Sequence, residues 1–345
     1  MMRTLGIGCT AILVAGCDIP GDLSLGETLS LSSTPNAQTS ADSTASNVPG
    51  TGKNADTDAE VELSAASGGT ITQKFSSGAV YSGGFARGKQ NGLGTYTAPD
   101  GYEYTGNWVD GRIEGDGTAK FPNGSVYEGT FKDGRPDGTG KITYADGSTY
   151  EGEWGDGVIN GDGVAVYADG LRYEGEFKNS AHHGNGTATR PDGFTYEGEW
   201  AEGQQNGTGK ATYPDGAVYE GSFVNGERDG DGTITMKDGF VYTGAWKGGQ
   251  INGTGKATYP NGDTYEGSFV DGNRDGQGTA AYKSGGVYTG QFANGQRNGS
   301  GKFTSADGFV YEGEWKAGKI EGKGVASYPD GTRLEGTFQN GEFVG

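Results

Sequence analysis

Eleven tyrosines recur every 23 residues, at Tyr81, Tyr104, Tyr127, Tyr150, Tyr173, Tyr196, Tyr219, Tyr242, Tyr265, Tyr288 and Tyr311, and Leu334 takes the twelfth place. No insertion breaks the register. Two residues after each stands Gly, from Gly83 to Gly336. Four residues after stands Phe or Trp: Phe85, Trp108, Phe131, Trp154, Phe177, Trp200, Phe223, Trp246, Phe269, Phe292, Trp315 and Phe338. All five tryptophans of the chain lie in that column. Metering this even marks a repeat architecture, whose successive units form the rungs of one ladder-like body instead of enclosing a central core.

Each unit carries two turn signals. One follows the first apolar segment, as in Asp110-Gly111, Asp133-Gly134, Asn225-Gly226, Asp271-Gly272 and Asn294-Gly295; the other precedes the next Tyr, as in Asp100-Gly101, Asn123-Gly124, Asp146-Gly147 and Asp330-Gly331. Such dipeptides accept the positive φ that tight hairpin turns require. Between them lies a Gly-X-Gly pair, such as Gly138 with Gly140, then a small or β-branched residue and usually an aromatic, as in Ile142 and Tyr144. The expectation is one β-hairpin per unit. Side chains alternate across a strand, so Tyr, Gly and Phe or Trp share one face while Glu128, Glu151 and Glu174 share the other. The aromatic rings are expected to lie over the glycine gaps of neighbouring strands. A longer period of 46 residues also shows, with Asn206 to Thr233 nearly repeated as Asn252 to Thr279, and reads as duplication of repeat pairs.

Composition agrees with a thin body. With 71 Gly among 345 residues and 32% hydrophobic residues, the chain has too little apolar matter for an ordinary two-layer core. The expected fold class is all-β: an elongated single-layer antiparallel sheet of tandem hairpins. Two strands per unit advance about 9.6 Å, so Glu side chains in one column sit about one Debye length apart and repel one another tolerably. The formal net charge of -19 argues against nucleic acid and against electrostatic docking on anionic lipid, both of which need Lys/Arg clusters. Beyond residue 74 the array itself holds 23 basic and 37 acidic side chains.

The N-terminus reads as an export segment. Arg3 precedes an apolar stretch from Leu5 to Gly16, too short to span a bilayer and of signal-peptide length. Its end, Leu13-Val14-Ala15-Gly16-Cys17, resembles a bacterial lipobox, which implies lipid on Cys17 and cleavage before it. Cys9 then leaves with the signal, so no disulfide is expected. From Ile19 to about Gly69 the chain is rich in Ser, Thr, Ala, Asn, Gly and Asp and reads as a disordered leash with a reach of roughly 40 Å. The domains expected are a signal peptide over 1–16, a lipid-anchored linker over 17–69 and a repeat domain over 70–345.

The units Tyr-Glu-Gly-Glu-Trp at Tyr150 to Trp154, Tyr196 to Trp200 and Tyr311 to Trp315, most followed by a turn and Gly-X-Gly, resemble MORN repeats. The resemblance covers residues 78 to 345 in about twelve units. It implies a twisted, single-layer antiparallel sheet serving as an interaction platform, used in some members at membranes and in others for protein partners or self-association. No catalytic residue belongs to the motif.

The departures gather in the fifth unit, where Ser180 replaces the turn Gly, His182 and His183 follow, and Arg190 stands where most units have an aromatic. A positive-φ Ser costs more than Gly, so a kink or a differently shaped loop is expected there. The two histidines are expected to decorate that loop, pointing to opposite faces and so unable to share a metal. Both ends of the array are expected to leave open strand edges. No nucleophile elbow, phosphate loop or Cys/His pair is present, and nearly all carboxylates of the array recur as repeat or turn positions, so no enzyme, cofactor or metal is expected.

What remains is binding. The aromatic face, represented by Tyr104, Trp108, Tyr150, Trp154, Tyr196, Trp200, Tyr242, Trp246, Tyr311 and Trp315, is either the sheet's thin core or a partner groove built on the same rings. The leading expectation is an exported, lipid-anchored scaffold at the bacterial cell envelope, facing the periplasm or exterior, that binds a protein partner or itself. The alternative is a module binding lipid or envelope glycan through the aromatic face.

Overall fold

The computed structural model describes residues 62–65 and 70–345. The signal peptide, Cys17 and nearly all of the expected linker therefore lie outside the described residues. The chain divides into two compact units, one ending at Pro214 and one beginning at Asp215. Each is built from consecutive antiparallel strands, every strand paired with its neighbours in sequence, and no helix occurs among the described residues.

The unit beginning at Tyr127 shows how the residues dictate the hairpin. Its first strand, Val126–Lys132, and its second, Arg135–Thr143, are joined by Asp133 and Gly134 alone, since Lys132 stands opposite Arg135. Both loop residues have positive φ, 48° and 80°, the conformation of a type I′ turn, whose twist matches that of the flanking strands. The connection to the next hairpin works differently. Gly147 N donates to Tyr144 O at 3.0 Å, Tyr144 N donates to Ser148 O at 2.8 Å, and the Asp146 carboxylate accepts from Ser148 N at 2.8 Å. Here only Gly147 has positive φ, while Asp146 serves through its side chain. The two Asp-Gly sets thus hold different turns.

The second strand is two residues longer than the first because it carries a bulge. Gly129 opposes Gly140 and Phe131 opposes Pro136, leaving Asp137 to Thr139 facing the single Thr130. The chain bends at Gly138, φ 93°. An excess of two residues preserves the alternation of faces, so Pro136, Gly140 and Ile142 share a side. The same shift recurs between Gly83 and Phe85, Gly106 and Trp108, and, beyond Asp215, between Gly267 and Phe269.

The fifth hairpin keeps the common turn. Lys178 opposes Ala181, and Asn179 and Ser180 have φ of 51° and 64°. Ser180 N donates to Ile159 O at 2.9 Å, as Gly134 N donates to Ile113 O at 3.0 Å. The expected kink is absent: the strands on either side and this bond from hairpin to hairpin hold a Ser where the backbone alone costs roughly 1–2 kcal/mol. His182 likewise belongs to no loop. It lies in the strand Ala181–Thr189, buried, its ring stacked on Tyr173 with centroids 3.7 Å apart.

The ends of the array are more dressed than expected. Ile71–Lys74 pairs with Val80–Ala86, and Glu62–Ala65 pairs with Ile71–Lys74, carrying paired backbone into the span read as linker. At the other end Arg333–Gln339 is not left open on its outer side: Glu342–Phe343 pairs with it, Val344 N donates to Thr337 O, and Thr337 N donates to Gly345 O.

Candidate functional site

The two faces of the sheet are chemically unlike. On the aromatic face each Tyr lies across a pair of facing glycines. A Cβ on Gly140 would fall 2.2 Å from the Tyr127 hydroxyl, and one on Gly129 would fall 2.5 Å from the Gly140 Cα. The glycines are therefore a seat for the ring, as the pattern Tyr-X-Gly led one to expect. Tyr127 OH donates to Thr130 O at 3.0 Å, and its ring meets Phe131 and Trp154 of the next hairpin edge-on, at 5.0 and 5.1 Å. Such edge contacts are favourable and link each hairpin to the next. Indole N–H groups are satisfied by glycine carbonyls, Trp154 to Gly140 O at 3.2 Å and Trp315 to Gly301 O at 3.1 Å. Burial raises the phenol pKa values, Tyr81 and Tyr311 to about 12, so these rings stay neutral.

This packing places the ten aromatic residues singled out from sequence. Tyr104, Tyr150, Tyr196, Tyr242 and Tyr311 are at most 1% exposed, and Trp108, Trp154, Trp200, Trp246 and Trp315 at most 8%. Within each unit they form a closed row, with second-strand residues opposite the Trp, Ile113 facing Trp108 and Ile159 facing Trp154 in one unit and Ile251 facing Trp246 in the other. Of the ring planes themselves almost nothing reaches solvent. Arg190 fits the same logic, its guanidinium lying 4.8 Å from the Phe194 ring centre.

The open surface is the opposite face. Gly129, Gly140, Gly152, Gly163 and Gly175 oppose one another in succession across five strands. Their Cα–Cβ directions point to the aromatic face, under the Tyr rings, so on the polar side this row presents only backbone as a floor. Side chains rise on both flanks: Glu128, Lys141, Glu151 and Glu174 on one, Asp116, Thr139 and Asp162 on the other. Together they enclose a trough of about 780 Å3. In the later unit Gly301, Gly313, Gly324 and Gly336 form a like floor beneath Lys302, Glu312, Lys323 and Glu335, with a trough of about 700 Å3. The spacing of the acidic column, about one Debye length, accounts for its stability without a ligand but does not reveal the trough. The signal for the trough is the alternation along each strand: positions that seat rings on one face present only backbone on the other, between flanking side chains such as Glu128 and Thr130.

Among the described residues no three His, Cys, Asp or Glu side chains converge to hold a metal. His182 and His183 face Phe177 and Glu176, and only His182 is buried. Tyr167 OH lies 2.7 Å from His182 Nε2, while His182 Nδ1 has no hydrogen-bond partner among the described residues. Burial pushes this imidazole down to about 4.

Comparison with known proteins agrees with the geometry. A family model for the MORN repeat matches the chain at residues 81–101 and then at 104–126, 127–149 and onward in 23-residue steps to 311–333. These are eleven matches; the span beginning at Leu334, whose strand is followed only by the two-residue Glu342–Phe343, falls outside them. No curated protein matches the chain. Among solved structures, the TCP10 domain of Danio rerio CPAP in complex with a peptide of STIL is similar at 15% identity and a TM-score of 0.28, over 78% of this chain and 99% of that one. The TCP domain of Drosophila melanogaster SAS-4 with a proline-rich motif of Ana2 is similar at 16% identity and a TM-score of 0.24, over 58% and 90%. A virginiamycin B lyase from Staphylococcus aureus is similar at 11% identity and a TM-score of 0.13, over 78% and 83%.

Proposed function

The chain belongs to the MORN-repeat family, and from that premise we propose that it is a non-catalytic scaffold, held at a bacterial cell envelope by lipid on Cys17, whose polar face binds a protein partner. The observation that carries this reading is the glycine-floored trough. It is open and walled by charged side chains, and it is repeated along the array, whereas the aromatic face is spent on packing. A protein partner fits such a surface because polar walls and a bare floor offer side-chain contacts over a length that a small molecule would not fill.

The anchoring half of the reading is supported by the lipobox-like Leu13 to Cys17 and by the polar leash behind it. Glycan stacking finds no support in the geometry, since sugars stack on open ring faces and these rings are closed. Lipid docking is opposed by the acidic balance. The test is a photoreactive amino acid placed at Thr139, on the trough wall, in whole cells, with mass spectrometry of what it captures. A reproducible protein neighbour is expected, lost when the label moves to the buried Ile142. No capture from Thr139 overturns the reading.

A further inference from the structure

The trough lined from Asp116 to Gly175 differs from its counterpart near the C-terminus in charge. Its lining holds Asp116, Glu128, Glu151, Asp162 and Glu174 against the single Lys141. The later trough balances Glu312 and Glu335 with Lys302 and Lys323. The same backbone floor thus carries an acidic wall in one place and a neutral wall in the other.

A second observation comes from the strand register. Asp162 stands directly opposite Glu176 in the ladder, a like-charge pairing that is unfavourable in a sheet; the Glu176 carboxylate accepts from Asn185 N at 3.0 Å, outside the trough lining, which leaves Asp162 as the charge facing the trough. Equivalent pairings elsewhere are Asp116 with Thr130, Thr139 with Glu153 and Asp231 with Ala245, none of like charge. The cations already present are loosely committed. Lys141 lies 3.6 Å from Glu151 with both side chains at least half exposed, and Arg172 meets Glu174 at a similarly open site. Exposed pairs of this kind contribute little and exchange readily.

The geometry also limits the occupant's conformation. Backbone groups of the floor are engaged in the ladders on both sides, so an added β-strand finds no donors or acceptors there. A polyproline II chain needs none. Glu128, Glu151 and Glu174 occupy the same place in successive hairpins, about 9.6 Å apart at two strand spacings. Three residues of polyproline II advance about 9.3 Å and return to the same side of the helix.

We propose that this trough binds a polypeptide segment in polyproline II conformation bearing Arg or Lys at every third residue, one cation for each hairpin. The proposal rests on the reading of the trough as a partner site and names that partner's chemistry. Its test uses the full chain and two dye-labelled peptides, Arg-Pro-Pro repeated four times and a peptide of the same composition with its four Arg contiguous, followed by fluorescence anisotropy. The spaced peptide is expected to bind on the order of tenfold more tightly, and more weakly as salt rises. The pair Glu128→Gln and Glu174→Gln should weaken it about fivefold, given the modest worth of exposed charge pairs. The pair Glu312→Gln and Glu335→Gln should leave it unchanged.

Equal binding of the two peptides, no binding, or equal sensitivity to the two variant pairs would overturn the proposal. If the peptides fail while the label at Thr139 still captures a protein in cells, the charge register is wrong and the trough reading stands. If that label captures nothing, both fall.

Discussion

At the scale of single residues, glycine does two unrelated jobs here, and their costs differ. Gly152 seats a ring: a Cβ there would lie 2.5 Å from the Asp162 carbonyl oxygen and 2.5 Å from the Gly163 Cα, both backbone atoms that cannot step aside. Gly147 only turns the chain, at φ 88° with open space around it. Gly152→Ala should therefore cost about 3 kcal/mol, at the upper end of overpacking, and Gly147→Ala about 1 kcal/mol. Hydrogen exchange checks this, with protection in Thr149–Gly155 falling about a hundredfold for the first and a few fold for the second. His182 supplies a pH dependence. Its folded-state pKa of about 4 lies below the 6.5 of a free imidazole, so the unfolded chain binds a proton that the folded chain refuses. Stability is full above pH 6.5 and falls as pH drops through 6.5 toward 4, by up to about 3 kcal/mol. Tyr167, Tyr173, Phe177 and Trp200 surround the ring and offer no carboxylate to offset the charge. His182→Ile, which places there the residue found at Ile159 and Ile251, should flatten that slope in melts recorded between pH 4 and 7. The burial of His182 was not legible in the sequence, because it stands two residues after a turn and only its pairing opposite Phe177 turns it inward.

At the scale of the hairpin, the turns were the most legible feature. Asp133-Gly134 gives a two-residue loop for a local reason, the low cost of positive φ at both residues, and no distant contact is needed to decide it. The bulge opposite Thr130 was less legible, since Gly138 in a Gly-X-Gly pair looks like any gap for a ring until the pairing shows three residues facing one. Ser180 marks where local preference yields to neighbours. Its φ of 64° is imposed by a turn held on both sides, and its Oγ is buried without a hydrogen-bond partner among the described residues. Ser180→Gly should relieve both and raise stability by about 1 kcal/mol, seen as a higher midpoint in thermal melts. A fall would mean that the hydroxyl has a role that the turn geometry does not reveal.

At the scale of the whole molecule, stability within each compact unit is a sum of like increments, one hairpin resting on the next through a Tyr and two flanking rings. The chain carries a formal charge of -19, which offers an anionic surface no electrostatic attraction, so its place at a membrane would depend on the lipid proposed for Cys17. Cys17→Ala should move the protein from the membrane to the soluble fraction of fractionated cells and abolish incorporation of labelled palmitate; membrane retention without label would refute the anchor. By itself the sequence determined the repeat period, the two-residue hairpin loops and the shared face of Tyr, Gly and Phe or Trp, because these depend on contacts within one unit or between adjacent units, where spacing along the chain is a faithful ruler. Only the tertiary structure decided which face is open. Whether a Trp is an exposed platform or a buried wedge depends on what the neighbouring hairpin lays against it. That contact closes the Tyr and Trp rings to at most 8% exposure, whereas the polar side, where these positions present only backbone, stays open as a trough.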